Sequence, residues 1–251
     1  MNIIQIPAFI DNYLWLLYEN NSESAVAIDP GDSKPILRAL ESNNLILTDI
    51  LITHHHNDHI GGIPELKKIF PKVNIYGPDD TRIPTNIVVN DEDVIKLSSL
   101  NEEFSIIDVK GHTNSHIAYY FDKRLFCGDT LFSCGCGRLF EGTYEDMHRA
   151  LTKIKNLPKE TMVYCAHEYT SANAKFALYV DPDNAALQAY ARQIEARRAA
   201  GVSTVPSLMG VERRTNPFLR SDDAGFAKVL GMEGASPVEV FAEVRGQKDN
   251  F

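Results

Sequence analysis

Short apolar stretches broken by polar turns set the rhythm of the first 165 residues. Residues 2–6, 13–18 and 25–29 are rich in Ile, Leu, Val and Tyr and predict strands. Asp29-Pro30-Gly31-Asp32 is a turn signal. The pattern predicts a helix over 34–44 that stops at Asn43-Asn44. Ile50-Leu51-Ile52-Thr53 is a short strand of buried type that runs straight into a histidine cluster. Gly61-Gly62 follows, then a helix near 64–70. Further strands are predicted at 73–76, 86–89, 94–97, 104–109, 116–121, 124–127 and 161–165. A helix fits 143–155, with Thr143 as its N-cap. Strands alternating with helices, together with strand meanders, predict an α/β protein with sheets in the middle layers.

The tail reads differently. Helical patterns cover 171–180, 184–200, 221–230 and 236–245, rich in Ala and Arg, with Ile194 the single isoleucine. The first 165 residues favour Ile, Asn and Lys. One explanation is a separate helical domain. The other is a hybrid chain joined near Ala166–Ala172 from two homologous parents, which would also explain the Lys-to-Arg shift on solvent-facing helix positions.

Composition narrows the classes. With 44% hydrophobic and 24% charged residues, the 251-residue chain has the makings of a soluble globular protein with a large core. No apolar run is long enough to span a bilayer. The N-terminus has no basic region ahead of an apolar stretch, so the expected compartment is the cytoplasm. A net charge of −9 disfavours nucleic acid and anionic membranes as partners. An anionic small molecule would need basic residues gathered locally. Cys127, Cys134, Cys136 and Cys165 are expected to be reduced, partly buried thiols rather than a disulfide framework or a metal knuckle.

The chemistry concentrates at Thr53-His54-His55-His56-Asn57-Asp58-His59. His54 and His56 project the same way from an extended segment. Asp58 and His59 are adjacent, and their side chains are expected to diverge. Two neighbouring metals then satisfy the cluster, one on His54 and His56 and one on Asp58 and His59. Gly61-Gly62 is expected to let the backbone turn tightly behind them. Three more candidate ligands each follow a predicted strand: His112, Asp129 and His167. A surface histidine tract would not be matched by such partners.

The pattern His54-x-His56-x-Asp58-His59, with His112, Asp129 and His167 downstream, resembles the metal signature of the metallo-β-lactamase superfamily. That resemblance implies a four-layer αββα sandwich. It places His54, His56 and His112 on one metal, Asp58, His59 and His167 on the other, and Asp129 as the bridge. The chain is still more similar to the glyoxalase II family, along nearly its whole length. The similarity runs from Ile6-Pro7-Ala8-Phe9-Ile10-Asp11-Asn12-Tyr13 to Lys248-Asp249-Asn250-Phe251. Its most specific stretches are Leu131-Phe132-Ser133-Cys134-Gly135-Cys136-Gly137-Arg138, Phe140-Glu141-Gly142-Thr143 and His167-Glu168-Tyr169-Thr170.

This second resemblance implies a catalytic domain over 1–169 and a helical glutathione-binding domain over 170–251. The implied reaction is hydrolysis of S-(2-hydroxyacyl)glutathione, such as S-D-lactoylglutathione, to glutathione and D-lactate in methylglyoxal degradation. Implied substrate contacts are Arg138, Tyr169, Arg245 and Lys248, which would also supply the local positive charge. Phe140 stands where the family often has tyrosine, so one hydroxyl contact is lost. Ser115 stands where many superfamily members have glycine. The chain is expected to act as a monomer.

Two divalent ions, zinc first and iron or manganese as alternatives, would lower the pKa of a shared water toward neutrality. The bridging hydroxide would attack the thioester carbonyl, with Asp129 as bridge and Asp58 orienting it. A thiol with pKa near ~8.5 leaves without a dedicated general acid. Plainer roles suit other residues: hydrogen bonds for His55 and His116, the surface for His148, the core for Trp15, and turns or caps for Asp11, Asp29 and Asp32. A β-lactamase of this fold commonly has Cys at the position of Asp129. A persulfide dioxygenase would use one iron, a lactonase would not need Arg245 and Lys248, and a non-catalytic metal module would not need a complete ligand set. Charge speaks against a nucleic-acid-processing relative.

Overall fold

A computed structural model describes residues 1–251. The first sheet begins with three antiparallel strands, β1 (Asn2–Ala8), β2 (Asn12–Tyr18) and β3 (Ser24–Ile28). Helix α1 (Ser33–Ser42) then crosses to β4 (Ile46–Leu51), which lies parallel to β3. The short helix α2 (Asn57–Ile60) and α3 (Ile63–Ile69) lead to β5 (Asn74–Gly77) and β6 (Ile87–Val88), both parallel. A meander follows: β7 (Val94–Lys96), β8 (Glu103–Asp108), β9 (Ile117–Phe121) and β10 (Arg124–Gly128). Next come β11 (Leu131–Phe132), β12 (Gly135–Cys136), α4 (Tyr144–Lys155) and β13 (Met162–Cys165). The tail holds α5 (Thr170–Val180), α6 (Ala185–Ala199), β14 (Ser207–Leu208), α7 (Met209–Thr215), a 3-10 turn at Pro217–Leu219, α8 (Ala224–Val229) and α9 (Pro237–Asp249). The six-stranded sheets have the orders β1-β2-β3-β4-β5-β6 and β14-β13-β10-β9-β8-β7. The expected α/β class stands. No helix is long and apolar enough to cross a membrane.

Contacts divide the chain into two compact units. One comprises Met1–Asp108, Ser115–Asp122 and Phe126–Gly128. In it, the period-2 alternation of β2 sends Leu14 and Leu16 to one face of the sheet, where Ile36 and Leu40 of α1 and Ile63 and Leu66 of α3 cover them. Trp15 points the other way and meets the edge of Phe126 with ring centroids 5.9 Å apart. It is a core residue, as expected. On that same inner side, the Tyr119 hydroxyl donates to the Ile52 carbonyl at 2.8 Å.

The other unit comprises Val109–Asn114, Lys123–Leu125 and Asp129–Phe251. Its aromatic chain runs from Phe251 to Phe176, Phe218 and Phe241. A smaller cluster joins Cys134 to Ala174, Ala177, Leu187 and Ile194. Thr143 caps α4 in a reciprocal capping box with Asp146. His148 is not a simple surface residue. It packs edge-on to Phe241, ring centroids 6.0 Å apart, and burial lowers its pKa.

Several elements escaped the sequence pattern. β11, β12 and β14 have two residues each, too few to show alternation. α2 has a single turn and α7 is seven residues long. α9 continues through Gly246 to Asp249, because tertiary packing of Arg245 outweighs glycine's poor helix propensity. Leu16 is fully buried in the sheet-to-helix core, so Leu16→Ala is expected to cost about 2–5 kcal/mol of stability in urea denaturation.

Candidate metal centre

The predicted ligand loop starts where β4 ends, at Leu51. The chain bends at Thr53 and runs without regular structure to His56, which is extended and caps α2. A buried carboxylate on the neighbouring strand end organises this stretch. Asp29 follows β3 with φ +50° and is 3% exposed. Its Oδ1 accepts the Thr53 backbone N–H at 2.7 Å, and its Oδ2 accepts the Thr53 hydroxyl at 2.7 Å. That same Oδ2 lies 3.0 Å from His59 Nδ1. Thr53 Oγ1 in turn lies 3.0 Å from His54 Nδ1.

Donor and acceptor counting fixes the protons. A carboxylate only accepts, so His59 carries its proton on Nδ1. The Thr53 hydroxyl has spent its one hydrogen on Asp29, so it accepts from His54 Nδ1–H. Both imidazoles therefore present an Nε2 lone pair, the state a metal requires. His54 Nε2 and His56 Nδ1 stand 3.1 Å apart. Two nitrogens bound to one tetrahedral ion at about 2.0–2.1 Å would sit at nearly that spacing. The sequence reading gave Asp29 a turn role, and the structure corrects it. Asp32 does cap α1, accepting from Lys34 N.

Asp58 and His59 were expected to diverge. They do not. On α2 the Asp58 Oδ2 and His59 Nε2 are 3.6 Å apart, close enough to serve one ion. Asn12 Nδ2 donates to Asp58 Oδ2 at 3.0 Å. Gly61 and Gly62 are also corrected. Both have ordinary right-handed helical angles as the C-cap of α2 and the N-cap of α3. Glycine is required there, and at Gly31, by crowding. A Cβ on Gly31 would lie 1.7 Å from the Asp58 carbonyl oxygen, and one on Gly62 2.4 Å from that of Pro30.

The later candidates also sit at strand ends or just beyond them. His112 lies in the turn after β8, Asp129 directly follows β10, and His167 comes two residues after β13. His112 Nδ1 is 2.7 Å from the Arg138 carbonyl, which fixes the proton there and leaves Nε2 as donor to a metal. Asp129 Oδ2 lies 3.6 Å from His112 Nε2 and 3.3 Å from His167 Nε2. The His167 ring stacks on Tyr169 with centroids 4.6 Å apart and meets the edge of Phe132.

Three donor groups fit a metal ion: His54, His56 and His112; His54, His59 and Asp129; Asp58, His59 and His167. Within each group the ligand atoms lie within 4.8 Å of one another. These overlapping His/Asp clusters fit a dinuclear site, and imidazole with carboxylate suits zinc, iron or manganese. The cysteines stand apart as buried free thiols. Burial holds Cys134 well above its usual pKa and pushes Cys136 to about 11 and Cys165 to about 12. His116 stacks on His54 with centroids 4.5 Å apart, and its Nδ1 lies 3.1 Å from the Ile117 carbonyl. His55 Nδ1 lies 3.6 Å from Asp80, which also accepts from Ser115.

Of the expected substrate contacts, spacing alone would make Arg245 and Lys248 a solvated helix face. Arg245 is 4% exposed instead. It donates to the Cys136 carbonyl at 3.1 Å and to Asp249 Oδ1 at 2.9 Å, and lies over the Phe218 ring. Arg138 Nε approaches the same Asp249 oxygen at 3.5 Å. Lys248 Nζ lies over the rings of Phe176 and Phe251, and burial with nearby Arg245 lowers its pKa. Phe140 is 62% exposed and edge-on to His112.

Sequence reasoning assigned no role at the site to Asn12 or Asp29. Asp29 directly follows β3, the same placement that marked the ligands, whereas Asn12 opens β2 and carried no such signal. Asp29→Ala removes the acceptor that sets two imidazole protons, so metal affinity is expected to fall about 10–100-fold in chelator competition. Unchanged affinity would contradict the proton assignment.

Comparison with known proteins is consistent along the chain. The metallo-beta-lactamase superfamily profile matches residues 11–167, and the profile described as hydroxyacylglutathione hydrolase C-terminus matches 168–251. The chain is 51% identical to hydroxyacylglutathione hydrolase of Aliivibrio salmonicida over 252 residues, covering 99% of each. It is 48% identical to that of Photobacterium profundum over the full length of both. Among solved structures, ETHE1 from Myxococcus xanthus superposes with TM-score 0.71 at 23% identity, covering 98% of this chain and 90% of that one, a likeness of fold. With its own two sheets, flanking helices and His/Asp clusters, the chain belongs to the hydroxyacylglutathione hydrolase family of the metallo-β-lactamase superfamily.

Proposed function

We infer that the protein hydrolyses the thioester of S-(2-hydroxyacyl)glutathione, with S-D-lactoylglutathione as substrate and glutathione and D-lactate as products. The observation that carries the reading is the oriented set of imidazole and carboxylate donors, in a chain related end to end to hydrolases of that name. We assign His54, His56 and His112 to one divalent ion, Asp58, His59 and His167 to a second, and Asp129 to both. Zinc is the proposed metal, with iron or manganese as alternatives. When bound, such ions polarise a carbonyl oxygen and lower the pKa of water.

The chain's own residues supply order. Asp29 and Thr53 keep His54 and His59 in the tautomer that leaves Nε2 free. The Arg138 carbonyl does the same for His112. Asn12 donates to one oxygen of Asp58 and so fixes the direction of this carboxylate, which would hold a metal and orient water there. The leaving group is a thiol of pKa near ~8.5, which departs as thiolate without a proton from the protein.

The first 169 residues are assigned to catalysis and residues 170–251 to holding the glutathione moiety. Arg138, Arg245 and Lys248 form a basic cluster around Asp249 in a chain of net charge −9, and glutathione carries two carboxylates to match it. Tyr169 contributes a half-exposed ring, and Phe140 contributes an apolar face with no hydroxyl.

The deciding assay is thiol release from S-D-lactoylglutathione by protein of known metal content. Rapid release supports the reading, and oxygen uptake in place of thiol release overturns it. Asp129→Ala is expected to abolish turnover and reduce bound metal; two retained metals with normal turnover would remove Asp129 from its place. Arg138→Ala is expected to raise KM about 10–100-fold with kcat little changed, the loss of one charge-assisted hydrogen bond.

A further inference from the structure

Glu212 on α7 is fully buried, and no cation pairs with it. Its Oε1 accepts the Ser133 hydroxyl at 2.8 Å. Its Oε2 accepts the Cys134 backbone N–H at 2.9 Å and Asn216 Nδ2 at 3.2 Å. Asn216 Nδ2 also donates to the carbonyls of Phe132 at 3.1 Å and Gly135 at 2.9 Å. Asn173 Nδ2 on α5 donates to the Ser133 carbonyl at 3.1 Å. Cys134 is held with φ +56°. Every polar group at the tip of the 131–136 hairpin that these bonds reach is thus gripped by a side chain from beyond residue 170.

The base of this hairpin carries the chemistry. Gly137 N donates to the Thr130 carbonyl at 3.2 Å, and a Cβ on Gly137 would lie 1.9 Å from the Asp129 carbonyl oxygen. The two ends are therefore closed on each other with no slack. Asp129 precedes the hairpin and Arg138 follows it. The Arg138 carbonyl fixes the proton of His112. Only the two-residue pairing of β11 with β12 lies between the tip and these ends.

We propose that Glu212 is a positioning residue of the hydrolytic site: it pins the tip of the 131–136 hairpin and thereby sets Asp129, His112 and Arg138. A buried carboxylate without a counter-cation is expensive, and burial does raise the pKa of Glu212. A core that needed only packing would be served by leucine. The carboxylate is retained where three donors must be held in fixed directions at once.

This inference rests on the functional reading above, and the test separates the two. Glu212→Leu is expected to lower metal affinity about tenfold in chelator competition, and to raise KM for S-D-lactoylglutathione by about the same factor. Glu212→Gln can turn Oε1 to Cys134 and Asn216 and its amide N–H to the Ser133 oxygen. It should stay within about threefold of the parent in both measurements. A role in stability alone would lower the melting temperature of Glu212→Leu while metal affinity and KM of the folded protein stayed at parent values, and that result overturns the proposal. If Glu212→Leu does not fold, Asn216→Ala, which releases the Phe132 and Gly135 carbonyls, is read by the same two measurements. If the parent protein releases no thiol, the functional reading fails, and the metal-affinity arm still decides the role of Glu212.

Discussion

A buried group that can only accept hydrogen bonds dictates where its neighbours keep their protons, and in this protein Asp29 is that group. Its two oxygens take the Thr53 backbone N–H, the Thr53 hydroxyl and His59 Nδ1. Through the hydroxyl its influence reaches His54. Without this carboxylate each imidazole could put its proton on either nitrogen, and only one choice leaves the lone pair usable. The parallel strands β3 and β4 bring their C-terminal ends side by side, so Asp29 and Thr53 meet although 24 residues separate them. Sheet topology is thus translated into tautomer choice.

The architecture and the ligand candidates were legible in the chain because both leave periodic or clustered traces. Strands such as β2 alternate, α1 and α4 carry caps, and His54, His56, Asp58, His59, His112, Asp129 and His167 are rare residue types placed after strands. What was not legible depends on contacts between distant segments. Asp29 in a Pro-Gly turn looks like any turn aspartate until its partner strand is known. Adjacency makes Asp58 and His59 diverge on an extended chain, but the backbone enters a single helical turn at Asn57 and their donor atoms come together. Glu212 lies in a seven-residue helix directly before Arg213 and Arg214 and resembles a surface charge. The burial of Arg245 was not legible, because it comes from Phe218 and Cys136, far away in sequence.

The compositional change near residue 170 takes on a concrete meaning. Whatever its origin, the arginine-rich tail grips residues 132–135 with Asn173, Glu212 and Asn216. It also covers Cys136 with Arg245. Full-length relatives at 45–51% identity carry both sections in one chain. The two sections are chemically matched, since backbone donors and carbonyls of one are met by side-chain acceptors and donors of the other.

The four cysteines acquire significance beside a reaction that liberates glutathione. Disulfide exchange needs a thiolate within reach, and these thiols are buried, with Cys134, Cys136 and Cys165 kept protonated far above neutral pH. Glutathione released at the site therefore meets no exposed thiol on the chain with which to form a mixed disulfide.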